Sequence, residues 1–169
     1  MVHRFVTWGN QMIIRIKTLF ALLFSFNVFA ECSVSNNQFK SNSDGNITDT
    51  KTGLTWLKCP IGMKLENAQC VGQSQRMSWE KAKFAIASIN STSNSQWRLP
   101  TLGELQSITE QNCYSPAINA EIFPYTLPTG YWSSTGDHKS KQHAAIMFFL
   151  HGKSYYSNKQ AEWFIRAVK

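Results

Sequence analysis

Trp97-Arg98-Leu99-Pro100-Thr101-Leu102-Gly103-Glu104-Leu105 is the stretch from which the architecture can be read. Pro100 fixes its own φ and pushes Leu99 into extended backbone, so the chain arrives as a strand-like segment. Thr101 and Glu104 then stand three apart, the arrangement of a capping box, and Leu105 and Ile108 continue an apolar helical face. An extended segment that bends at once into a helix implies a domain of mixed element types. Arg98 is expected to pair with a carboxylate such as Glu104, or with backbone carbonyls, while Trp97 and Leu99 pack. Trp97, Arg98, Pro100, Thr101 and Glu104 are therefore read as structural, not as an anion clamp.

Upstream, Ser78 can cap a helix whose apolar residues Trp79, Ala82, Ile86 and Ile89 recur at helical spacing, with Glu80 well placed in the first turn. The run Ser-Thr-Ser-Asn-Ser predicts that this helix stops near Asn90. Before it, the turns Asp44-Gly45-Asn46 and Lys51-Thr52-Gly53 separate three short extended runs, the last containing Trp56, and predict an antiparallel start. Residues 59–75 show little periodicity and read as a loop held by a disulfide. Downstream the pattern turns to strands at 131–134, which contains Trp132, at 144–150, 154–156 and 163–168, which contains Arg166. Gly152-Lys153 supplies a hairpin turn. In the run 144–150, Ile146, Phe148 and Leu150 face one side and Met147 and Phe149 the other, so this strand is expected to be central and covered on both faces. The sum is α+β, two helices packed on a twisted antiparallel sheet.

The first thirty residues differ from the rest. Arg4, Arg15 and Lys17 precede an apolar stretch from Leu19 to Phe29, with no acidic residue. That is the n-region and h-region of a signal peptide, too short for the roughly 18 to 20 residues of a bilayer-spanning helix, and Val28-Phe29-Ala30 predicts cleavage after Ala30. Met12 would serve equally as a start. The expectation is a signal peptide at 1–30, a single domain at 31–169, no transmembrane segment after processing, and a location in the periplasm, on the cell surface or outside the cell. Cys32, Cys59, Cys70 and Cys113 all lie beyond the cleavage point, and an even number in an exported chain reads as two disulfides. Three pairings are open; Cys59 with Cys70 closes the natural local loop and leaves Cys32 for Cys113.

Charge is informative by region. Residues 31–136 carry eight basic and eight acidic side chains, whereas 137–169 carry six basic against two acidic. The excess sits in the last fifth of the chain, where His138, His143 and His151 add to it. A basic surface of this kind attracts sulfated or phosphorylated polymers, and otherwise serves as a solvated rim.

Asp49-Thr50-Lys51-Thr52-Gly53-Leu54-Thr55-Trp56, Ser78-Trp79-Glu80-Lys81-Ala82, Trp97-Arg98-Leu99-Pro100-Thr101 with Glu104-Leu105, Pro116-Ala117-Ile118-Asn119, Phe123-Pro124, Tyr131-Trp132-Ser133-Ser134 and Arg166-Ala167-Val168 follow one another in this order. Over residues 39–169 the chain thereby resembles the Lcl C-terminal domain family, named for a collagen-like bacterial adhesin. The resemblance implies a C-type-lectin-like fold, similar also to formylglycine-generating enzymes, and the founding adhesin's domain looks like a binder of sulfated glycosaminoglycans. Relatives often carry a Gly-rich, Asn/Asp-rich tip before the last strand; here Gly152-Lys153-Ser154 and Asn158-Lys159-Gln160 are more basic, which favours an anion over calcium.

Other chemistries find little support in the residues. The three late histidines match no metal spacing and only Asp137 is near them, so no metal or other cofactor is expected. The Glu-Pro-Asn and Trp-Asn-Asp signatures of calcium-binding lectins are absent. Ser133 and Ser134 lack the glycines of a nucleophile elbow, and the formylglycine-type cysteine pair has no counterpart, so no enzyme is expected. Glu104, Glu110 and Glu121 have no spacing that requires them to converge. Nucleic acid would meet the same basic charge, yet the chain lacks a recognition helix. The expected function is an exported binding module for a sulfated or anionic polysaccharide, with Lys139, Lys141, His143, Lys153 and Lys159 supplying charge and Tyr155 or Tyr156 stacking on sugar. Adjacent on a strand, one of these tyrosines must face away from the core if the other faces in, and that one is the expected contact. The alternatives are a cell-envelope interaction domain, in which a homo-oligomer or partner protein buries the exposed aromatics, and an enzyme of unknown reaction.

Overall fold

The chain folds around the strand predicted to be central. In the computed structural model, which describes residues 36–169, β6 (Gly130–Gly136), β7 (His143–Phe148) and β8 (Lys153–Asn158) form an antiparallel sheet with β7 in the middle. The two faces of β7 belong to two separate cores. Met147, and Phe149 just beyond the strand, pack with Trp56, Leu105, Ile108, Phe123 and Tyr131. Ala144 and Ile146 pack with Ala82, Ile86, Trp97, Leu99, Trp132 and Ile165. Alternation along β6 does the same, sending Tyr131 to the first core and Trp132 to the second.

Each core has its helix. α1 (Trp79–Ser93) sets Ala82 and Ile86 against the second core, and α2 (Leu102–Ser107) sets Leu105 into the first. The α2 start is a full capping box, with Thr101 Oγ1 accepting from Glu104 N–H at 3.2 Å and Glu104 Oε2 accepting from Thr101 N–H at 2.7 Å. Ahead of the helices, β1 (Phe39–Ser41), β2 (Ile47–Asp49) and β3 (Thr55–Trp56) form a small antiparallel sheet. These elements lie in one compact unit, and among the described residues no helix is long and apolar enough to cross a membrane.

Five expectations need correction. Residues 59–75 are not irregular: β4 (Met63–Glu66) and β5 (Gln69–Gly72) form a hairpin, turned by Asn67 and Ala68 at φ 48° and 64°. Both turn residues adopt the left-handed region that a two-residue hairpin demands, which Asn-Ala does not advertise as Asn-Gly would. α1 continues past Asn90 to Ser93, because the hydroxyls of Ser91, Thr92 and Ser93 bond back to the carbonyls of Ser88 and Ile89 rather than breaking the helix. Its cap residue Ser78 makes no side-chain capping bond. The segment 163–168 is not a regular strand but a seam of isolated bridges, pairing Trp163 with Met77, Phe164 with Tyr131, and Val168 with both Trp56 and Arg98. The run predicted at 144–150 leaves the sheet at Phe148, where the hairpin turn begins.

Cys59 and Cys70 are joined, with Cα atoms 5.5 Å apart, and pin the hairpin to the irregular segment that follows β3. The other expected bridge involves Cys32, which, like the expected signal peptide at 1–30, lies outside the described residues; its expected partner Cys113 is buried.

Candidate functional site

On the β6 side, the second-core face of the sheet is filled by Trp132 and α1. Toward β8 the same face is open and forms a groove of about 330 Å³, lined by Ile146, Phe148, His151, Tyr155, Ser157 and Trp163, with Tyr156 also bordering it. Its walls are aromatic and mutually braced. Phe148 meets Tyr155 and Trp163 edge to face, each at 6.1 Å between ring centres, and stacks on His151 at 5.4 Å. The Tyr155 hydroxyl and His151 Nε2 are 3.3 Å apart, and the Trp163 indole donates to Ser157 Oγ at 2.8 Å. The site thus offers apolar ring faces edged by a phenol, an imidazole and a hydroxyl.

The groove is made by register. Phe148 pairs with Lys153, Ile146 with Tyr155 and Ala144 with Ser157, so Lys153, Tyr155 and Ser157 share its face. Gly130 leaves room for Trp163: a Cβ there would lie 2.7 Å from the indole Cε3.

The predicted ligand residues do not form one patch. Lys139 and Lys141 lie in the β6–β7 turn, where His143 Nδ1 and Ser140 Oγ are 2.8 Å apart, and Lys159 bonds its backbone N–H to Gln142 O at 2.8 Å. Lys153 is at the other end of the ladder, opposite Phe148, because the hairpin sends β8 back along the full length of β7. Nor does one tyrosine face inward. Tyr155 is 48% and Tyr156 50% exposed, since β8 is an edge strand and both of its faces are accessible.

The Lys159 ammonium is held in a fixed place. Its Nζ sits 4.3 Å from the centre of the Trp79 ring, which Lys83 Nζ also approaches at 4.4 Å. Trp79 in turn donates its indole N–H to Ser133 O at 2.8 Å.

The residues read as structural are engaged within the fold. Arg98 meets Glu104 in a two-pronged ion pair at 2.7 and 2.8 Å, which holds the Glu104 carboxyl below its ordinary pKa. The hollow of about 460 Å³ beside Trp79, Lys83, Arg98 and Ser134 is larger than the groove, but its guanidinium is committed in this way. Another hollow, about 290 Å³ beside the disulfide, offers no aromatic ring. Trp97 exchanges two backbone bonds with the Asn90 side chain, both 2.8 Å. Trp132 donates to Met77 O, and the fully buried Ser133 hydroxyl donates to Ala145 O at 2.8 Å where the β6 register shifts. Ser133 therefore completes a bulge.

Arg166 is fully buried. It donates to Leu57 O, Lys58 O, Pro124 O and Thr126 Oγ1, and burial pushes its pKa down to about 10, which leaves it cationic at neutral pH. It locks two loops together. Among the described residues no three His, Cys, Asp or Glu side chains come together as a metal site.

Tyr155 and Lys153 are legible in the sequence, whereas Phe148 reads there as core and nothing local brings His151 or Trp163 to them. The available signal was period-two pairing across the 149–152 turn; the placement of Trp163 depends on its long-range bridge to Met77. Compared with known proteins, residues 45–169 match the family described as Lcl C-terminal domain. No curated protein matches the chain.

Proposed function

The chain belongs to the Lcl C-terminal domain family, and from that footing we propose that it is an exported, non-catalytic binding module for sulfated or otherwise anionic glycans, received in the aromatic groove beside β8. The observation that carries this reading is the groove itself. Its half-exposed Tyr155 stands against Phe148, which Trp163 also meets, with polar groups at the ring edges and Lys153 on the same face. Ring faces suit the apolar side of a pyranose, the phenol and Ser157 suit its hydroxyls, and the ammonium suits a sulfate or carboxylate.

The wider reading has the C-type-lectin-like fold of the resemblance, a second disulfide between Cys32 and Cys113, removal of residues 1–30, and residence in the periplasm, on the surface or outside the cell. A disulfide between Cys59 and Cys70 suits an oxidising compartment. The engagement of Ser133 and Glu104 in the fold supports a role without catalysis. Nucleic acid and cofactors have no part in this reading.

An envelope interaction domain is the second reading, favoured by Phe84 at 73% and Tyr114 at 69% exposure. Heparin chromatography separates the two. The oxidised mature domain should be retained and elute above physiological salt, and Tyr155→Ala and Lys153→Ala should each elute earlier. No retention at physiological salt overturns the glycan reading in favour of a protein interface.

A further inference from the structure

Lys153, Tyr155, Ser157 and Lys159 occupy every second position along and just beyond β8. Cross-strand pairing places the first three on the groove face. Lys159 keeps to that face past the end of the strand, because its ammonium rests on the Trp79 ring and Trp79 packs with the Ala82, Ile86 and Ile146 core. The Trp79 backbone N–H also donates to Lys159 O at 3.0 Å, fixing the residue at its root. At a rise of about 3.3 Å per residue, Lys153 and Lys159 stand roughly 20 Å apart. That exceeds the screening length of about 8 Å at physiological salt, so the two cations act as separate attachment points. Between them lie Tyr155 and Ser157, with Trp163 fastened to the latter.

Resting on the glycan reading above, we propose that the ligand is a linear polyanionic chain bound lengthwise along β8. One anionic group meets Lys153, a second meets Lys159, and the sugars between them lie over Tyr155 and Trp163. A compact ligand seated in the groove reaches one lysine; a chain that spans both gains the second contact intramolecularly, at high effective concentration. Minimum length is then a property of the site, as is the placing of its charges.

The test is calorimetric titration of the oxidised domain, Lys153→Ala and Lys159→Ala with heparin-derived disaccharide, tetrasaccharide and octasaccharide. A melting curve for each variant shows that it is folded. The octasaccharide should bind wild type at least about tenfold more tightly than the disaccharide, more than its extra equivalent registers supply. Each single variant should lose most of that difference. Equal affinity at all lengths, or a length dependence that survives both variants, overturns the lengthwise chain while leaving a compact glycan site standing. No binding at any length overturns the glycan reading itself.

Discussion

The Trp163 indole donates to the Ser157 hydroxyl at 2.8 Å, while the Trp163 backbone exchanges two bonds with Met77 at 3.1 and 3.2 Å. One wall of the groove is thus held by its ring and by its main chain, from two different elements. Ser157→Ala removes only the ring's anchor. Affinity for a heparin tetrasaccharide should fall about threefold to tenfold, the net worth of one hydrogen bond, with the melting temperature within about 5 °C of wild type. Titration calorimetry beside differential scanning calorimetry reads both; unchanged affinity would remove Trp163 from the binding surface.

Gly130 tests the same wall from behind. Its backbone needs no left-handed φ, so only space forbids a side chain: a Cβ would lie 2.7 and 2.9 Å from two indole atoms and 3.1 Å from Ile146 Cδ1. Gly130→Ala should destabilise the domain by about 1–3 kcal/mol in urea unfolding and weaken heparin retention in the same protein. Wild-type stability would mean that the indole moves aside at no cost.

The pair Arg98 and Glu104 predicts a pH dependence. Bonding to Arg98 lowers the Glu104 pKa below its ordinary 4.5. A carboxyl whose folded-state pKa is depressed contributes stability that is complete above the unfolded value and is lost as pH falls through the lowered one. Glu104→Gln should therefore cost about 1 kcal/mol near neutral pH, where cap and ion pair are intact, and progressively less on acidification below pH ~4. Urea unfolding across that range checks the sign; a difference that grows toward acid would contradict it.

Arg166 holds three carbonyls and the Thr126 hydroxyl, and among the described residues no carboxylate is bonded to it. Arg166→Met leaves those buried acceptors without their donor and should cost about 3 kcal/mol or more. Arg166→Lys keeps the charge but lacks the planar fork that joins the Leu57 and Lys58 carbonyls to the 124–126 loop, so it should recover less than half of the loss. Equilibrium unfolding of both variants decides between a geometric role and charge alone.

Local chemistry made much of this fold legible. Pro100, Thr101 and Glu104 announce the bend into α2, and the apolar residues on both faces around Ile146 and Met147 announce a central strand. What stayed hidden was set at long range. Ser91, Thr92 and Ser93 read as helix breakers until their hydroxyls are seen to have carbonyls within reach. Asn67 and Ala68 carry only half of a turn signature. The residues at 163–168 have the composition of a strand, but their bonding is shared among Met77, Gly130, Trp132, Ile61, Leu57 and Arg98, which no periodicity encodes. The groove suffered the same fate. Its tyrosine and lysine are visible in sequence, whereas the separation of Lys153 from Lys159 follows only from the hairpin register.

The most direct test of the central claim is a chemical-shift titration of the isotopically labelled, oxidised domain with a heparin tetrasaccharide. The account predicts shifts concentrated on the rings of Phe148, Tyr155 and Trp163, on His151 and on Lys153, while Phe84, Tyr114 and the buried Arg166 stay in place. Shifts concentrated on Phe84 or Tyr114, or none at all at saturating sugar, would contradict it.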